Sequence, residues 1–141
     1  GLHHTVLLGC DGTVYTFGSN SHGQLGQGDL VARDHPVVVK VQHEITKIAA
    51  GSNHTILLTK SGQVLTFGNN MKNQLGRELT GDYFAESVWY SIPGLVHGVG
   101  PQFDCKATWV GASGDLSFIK VDENLVNVSK LTNMRVIGND S

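Results

Sequence analysis

The chain repeats itself at a spacing of 50 residues. His4-Thr5-Val6-Leu7-Leu8, Gly12, Val14, Thr16-Phe17-Gly18, Asn20 and Gln24-Leu25-Gly26 return as His54-Thr55-Ile56-Leu57-Leu58, Gly62, Val64, Thr66-Phe67-Gly68, Asn70 and Gln74-Leu75-Gly76. A period of roughly 20–50 residues marks an architecture in which each unit buries its apolar faces against its neighbours. Such a chain builds a surface by stacking rather than a pocket around one catalytic loop. Gly1 aligns with Gly51, so the chain begins inside a repeat and reads as a piece of something longer. No charged stretch followed by an apolar run opens it, and a secretory leader is not expected. No run of about 18 apolar residues occurs, so membrane insertion is not expected.

Eighteen glycines and only 16% charged residues suit strands and turns better than helices. Thr5 to Gly9 and Thr13 to Phe17 flank Cys10-Asp11-Gly12, and Thr55 to Thr59 and Val64 to Phe67 flank Lys60-Ser61-Gly62. Both read as hairpins, because glycine accepts the positive φ of a tight turn without steric cost. Val6 and Leu8 point to one face and Leu7 to the other, a pattern that implies cover on both sides. Pro36 to Val41 and Ile45 to Ala50 read as two further strands, making four per repeat. Four antiparallel strands per unit, stacked around an axis, form the blade of a β-propeller. A solenoid of parallel strands competes, but parallel neighbours need long crossovers that these tight turns do not allow. The expected fold is all-β: a partial β-propeller of two to three four-stranded antiparallel blades. Residues 1–50 form the first repeat and 51–105 the second, with a long diverged connection. Residues 106–141 form a diverged third, with a hairpin of Ala107 to Gly111 and Leu116 to Val121 around Ala112-Ser113-Gly114 and a strand or two beyond Asp122.

Chemistry-bearing residues are few. His4 and His54 occupy equivalent places in successive units, so they predict rings hydrogen-bonded to loop backbone and not a metal pair; His3, His22, His35, His43 and His97 lack partners at ligand spacing. No metal or cofactor is expected. Gly23-Gln24-Leu25-Gly26-Gln27-Gly28 resembles a phosphate loop only superficially, since no Gly-Lys-Ser/Thr or helix follows. It reads as a tight loop with Leu25, and its counterpart Leu75, plugged between blades, and with Asn20 and Asn70 in left-handed conformation. Net charge is −2 and the ten basic residues are scattered, which argues against nucleic-acid binding. Cys10 and Cys105 read as two reduced thiols. No catalytic triad or carboxylate pair can be assembled. Tyr83, Phe84, Trp89 and Tyr90, in the long connection, are the candidate partner-binding residues, because aromatics dominate interface hot spots.

His-Thr-x-Leu-Leu, then Gly-x-Val-x-Thr-Phe-Gly-x-Asn, then Gln-Leu-Gly, resembles the repeat of the regulator-of-chromosome-condensation family. His4, Thr5, Gly12, Phe17, Gly18, Leu25 and Gly26 carry it, and His54, Thr55, Gly62, Phe67, Gly68, Leu75 and Gly76 carry it again. The resemblance implies a seven-bladed propeller. Lys106-Ala107-Thr108-Trp109-Val110-Gly111-Ala112-Ser113-Gly114-Asp115, with Phe118 and Asp122-Glu123-Asn124-Leu125-Val126-Asn127, is similar to the Pam/Highwire family of large RING-type ubiquitin ligases of neurons. That resemblance implies a non-catalytic interaction segment, a cytoplasmic, axonal, synaptic or nuclear location, and ubiquitin-pathway components or substrates as partners. Any ligase activity would lie outside this chain, which has no Cys/His cluster for a RING. The alternative is part of a guanine-nucleotide exchange factor for the small GTPase Ran.

Overall fold

The computed structural model describes residues 3–77 and 90–131, and within them three antiparallel sheets stack face to face. The first sheet joins β1 (His4–Leu8), β2 (Val14–Gly18) and β3 (Arg33–Val38). The second joins β4 (Ile45–Ala50), β5 (His54–Thr59), β6 (Val64–Gly68) and the two-residue β7 (Gly94–Leu95). The third joins β8 (Ala107–Ser113), β9 (Leu116–Val121) and β10 (Asn124–Asn127). Sheet boundary and sequence period are out of phase: β4 closes the first 50 residues yet is the first strand of the second sheet.

Both expected hairpins form in the same register, with Leu8 opposite Val14 and Leu58 opposite Val64. Gly12 and Gly62 sit at φ 84° and 92°, which is why the turns demand glycine. The strand expected over 36–41 is displaced to 33–38. Val39 is already turned into the core, 2% exposed, with its N–H donating to Val14 O at 2.8 Å. Pro36 and the polar run Arg33-Asp34-His35 fit β3 because it is an edge strand, where a missing N–H and exposed charges are tolerated.

Two apolar seams hold the stack. Val14, Val39, Ile45, Leu57, Leu65 and Phe67 fill the first, with Val6 and Leu8 packed against them. Ile56, Leu58, Val64, Val110, Ile119 and Val128 are central to the second. Every residue of β5 and β6 is buried, because the middle sheet is covered on both faces. The first sheet provides the control. Leu7 is 43% exposed where Leu57 is fully buried, and Thr5 and Phe17 are likewise more exposed than Thr55 and Phe67. Identical side chains in identical register differ only in what lies over them.

The third unit is phased differently from the expected hairpin. Its β8–β9 turn, at Gly114-Asp115, stands where Ser52-Asn53 joins β4 to β5, not where Cys10-Asp11-Gly12 joins β1 to β2. A register shift between Ile45 and Lys47 recurs between Ala107 and Trp109. β9 therefore occupies the place of β5, and β10 the place of β6. The intervening turn uses Asp122 and Glu123 at φ 51° and 67°, with no glycine.

Leu57→Ala should cost about 2–5 kcal/mol, the range for a fully buried leucine. Leu7→Ala should cost under about 1 kcal/mol. Denaturant unfolding of the two variants measures the difference, and equal losses would contradict the seam assignment.

Candidate functional site

The loops after β2 and β6, the β4–β5 and β8–β9 turns and residues 128–131 gather at one end of the stack. Each signature loop is held by the same bonds. Asn20 Oδ1 accepts from Leu25 N at 3.1 Å, and Asn70 Oδ1 from Leu75 N at 3.0 Å. Thr16 and Thr66 hydroxyls donate to Leu25 O and Leu75 O at 2.7 and 2.8 Å. Gln24 and Gln74 side-chain oxygens accept from the N–H two residues earlier. Leu25 and Leu75 are fully buried beneath.

Asn20 and Asn70 are thus not the left-handed residues expected. They act through their side chains, Asn20 Nδ2 also donating to Asp29 O and Val31 O, each at 3.0 Å. The left-handed positions are Gly26 and Gly76 together with Gly23, at φ 77°, and its counterpart Asn73, at 60°. Asn73 tolerates that conformation, which explains how the second loop lost a glycine without losing its shape.

The first loop is also clamped by the next sheet. Thr55 Oγ1 donates to Gln24 O at 2.8 Å, and its lone pair faces His4 Nε2 at 2.9 Å. His54 Nε2 lies 3.2 Å from Leu116 O. The histidines therefore do not bond the backbone of their own loops; they reach across the seams. Both bonds place the ring proton on Nε2, leaving each Nδ1 buried with no hydrogen-bond partner among the described residues. Burial, first of all, drives His4 down to about 4, and it lowers His54 as well. A Cβ on Gly26 would meet the Phe67 ring at 2.9 Å, and one on Gly76 would strike Val128. Phe67 and Val128 thus occupy one structural position in successive units, Phe67 within β6 and Val128 just beyond the end of β10.

Of the aromatic candidates, Tyr83, Phe84 and Trp89 lie outside the described residues. Tyr90 is half-buried; its carbonyl accepts from Gly68 N at 2.8 Å and its ring lies 5.8 Å below the Arg77 guanidinium. Arg77 takes the place of Gln27. It donates to Thr66 O and Ile92 O as Gln27 donates to Val37 O and Val38 O, fastening the outer segment to its sheet. Ser91 O accepts from Gly28 N at 2.9 Å, so the end of the long connection returns to the first loop.

Sequence reasoning missed four exposed apolar side chains carried by loops at this same end: Leu30, Val31, Ile92 and Met71, the last 85% exposed. Isolated apolar residues in loops give no periodic signal, so burial and exposure look alike in the sequence. The opposite end has a shallow groove of about 490 Å³ lined by Asp11–Val14 and Val38–Glu44. Both of its carboxylates are engaged locally, Asp11 with Thr13 N and Glu44 with Lys60. Among the described residues, no three His, Cys, Asp or Glu side chains converge to hold a metal. Cys10 is an exposed thiol; Cys105 is half-buried and its pKa is pushed up by burial.

Against known proteins, residues 11–58 and 45–74 match the regulator of chromosome condensation (RCC1) repeat. The chain is 42% identical over 140 residues to the E3 ubiquitin-protein ligase MYCBP2 of Danio rerio, covering 99% of this chain and 3% of that protein. It is 38% identical over 199 aligned positions to the E3 ubiquitin-protein ligase highwire of Drosophila melanogaster, covering 99% of this chain and 4% of that protein. The chain thus spans only a small part of these relatives' length. Among solved structures, human WBSCR16 superposes with a TM-score of 0.71 at 20% identity, over 85% of this chain and 29% of that one. Prp20p of Saccharomyces cerevisiae superposes with 0.69 at 22% identity, over 89% and 28%. These likenesses show the fold.

Thr55→Val removes a donor and an acceptor from a buried seam and should destabilise by roughly 1–3 kcal/mol; Thr5→Val, at an exposed position, should be near neutral. The histidines set a pH dependence. A folded-state pKa below the unfolded 6.5 means that the unfolded chain binds protons first. Stability should therefore be full above about pH 6.5 and decline towards pH 4. Asparagine at positions 4 and 54 should flatten that decline in a pH series of denaturant melts.

Proposed function

Since the chain carries regulator of chromosome condensation repeats and is propeller wall, we propose that it is a non-catalytic interaction segment of a large E3 ubiquitin-protein ligase. It recruits partners or substrates of the ubiquitin pathway through the loop end of its sheets, while ligase chemistry resides elsewhere in the protein. The observation that supports this most is the likeness to two ubiquitin ligases along nearly the whole chain, including the third unit where the repeat signature has faded. The geometry supports the choice of surface. Signature side chains are consumed inside seams and loops, whereas Leu30, Val31, Met71 and Ile92 stand out at the loop end. Scattered charge gives no footprint for nucleic acid. We place the protein in the cytoplasm, with axonal, synaptic and nuclear pools.

The second reading, part of an exchange factor for Ran, is prompted by the fold it shares with Prp20p, whose structure was described together with its binding to Gsp1p and histones. One pair of measurements separates the two. Affinity capture by the full-length protein should recover ubiquitin-pathway proteins or substrates. Trp89→Ala, Tyr90→Ala or Met71→Asp should reduce that capture at least tenfold, and Met71→Asp, at a highly exposed position, should do so without altering the melt. Accelerated release of nucleotide from Ran by the same protein would overturn the recruiting role in favour of exchange.

A further inference from the structure

The outward face of the third sheet breaks the pattern set by the two faces before it. In the first sheet the side turned to its successor presents Val6, Leu8 and Val14; in the second it presents Ile56, Leu58 and Val64. Leu8 pairs with Val14 and Leu58 with Val64 across the strands. The equivalent pair in the third sheet is Lys120 and Leu125, with Phe118 in the place of Ile56. A lysine thus occupies the position at which Leu58 is 3% exposed in a closed seam.

The neighbouring substitution holds this cation on the face. Lys47, opposite Leu58, is replaced by Trp109, opposite Lys120. Gly111, in the place of Ala49, lets the indole lie flat on the sheet; a Cβ there would run into the ring. The Lys120 ammonium stands 5.9 Å from the indole centroid, and no carboxylate among the described residues pairs with it. Trp109, Leu116 and Leu125 remain exposed around it, a sheet face with one positive charge at its centre.

Covering this face with an all-apolar sheet would strip the ammonium of water and leave only the indole in exchange. Burying an unpaired cation is far more costly than a cation–π contact can offset. We propose that this face is a charge-selective seam, covered by a following sheet of the same propeller that sets a carboxylate against Lys120. Continuity with the two existing seams argues for that occupant, as does length. The chain covers less than a third of the solved propellers it resembles, leaving room for more sheets. The ion pair would fix which unit can follow the third, a selectivity that Leu8 and Leu58 do not impose on their neighbours.

Zero-length carbodiimide cross-linking of the full-length protein, read by mass spectrometry, tests the pairing directly. A bond from Lys120 to an Asp or Glu in a following repeat is the expected result. A bond to a second copy or to another protein, or no bond at Lys120, would overturn it. Amide hydrogen exchange in the full-length protein provides a second readout. Lys120→Leu should raise exchange in β8, β9 and β10 at least tenfold, because it orphans the buried acid, and Lys120→Arg should preserve protection. If leucine leaves exchange unchanged or slows it, the seam is an ordinary apolar one and the proposal fails.

Discussion

Everything in this structure depends on a sheet that is apolar on both faces and so cannot be stable by itself. Leu57, Leu65 and Phe67 look one way from the middle sheet, and Ile56, Leu58 and Val64 look the other. Water must be excluded from both sides, and only further sheets of similar shape can do that. Side chains in such a seam interdigitate at interior packing density, so their register is tightly specified. The comparison of Leu7 with Leu57 shows that cover, and not residue type, decides burial.

Polar groups join what the apolar groups stack. Thr55 belongs to the second sheet, yet its hydroxyl serves a carbonyl of the first loop and receives the ring of His4. Signature residues that read like an active site (a histidine, a threonine, a glutamine, an asparagine) are each matched to a backbone or side-chain group of the stack. Their repetition at equivalent places is the mark of a joint. The loops that protrude beyond the joints carry exposed apolar side chains that the stack does not use, and exposed loops on a rigid scaffold are where binding residues commonly sit.

The hairpins were legible because Asp-Gly and Ser-Gly turns and β-branched strands agree locally with the fold. The burial of Leu25 and Leu75 agrees with their return at equivalent places in the repeat. The roles of Asn20 and Asn70 were not. An asparagine at a loop start fits a left-handed backbone and a side-chain clamp equally well, and only the position of Leu25 N decides between them. The displacement of β3 arose because Val37-Val38-Val39 continues a strand pattern past the point where Val39 turns inward. The phase of the third unit was hidden because Leu116 and Ser117 replace the His-Thr pair, and Glu123 replaces the turn glycine. Exposed loop residues such as Met71 carry no periodicity at all.

The offset between sequence period and sheet boundary has a further meaning for how such a molecule grows and breaks. A duplicated 50-residue stretch inserted beside its parent would not arrive as a finished slab laid on a pile. Its last strand would lie in the slab after it, as β4 does. Like overlapping courses of brick, every newcomer is bonded into its neighbour as it is made. Peeling two units apart therefore means tearing a ladder of backbone hydrogen bonds, and not merely sliding one greasy surface off another.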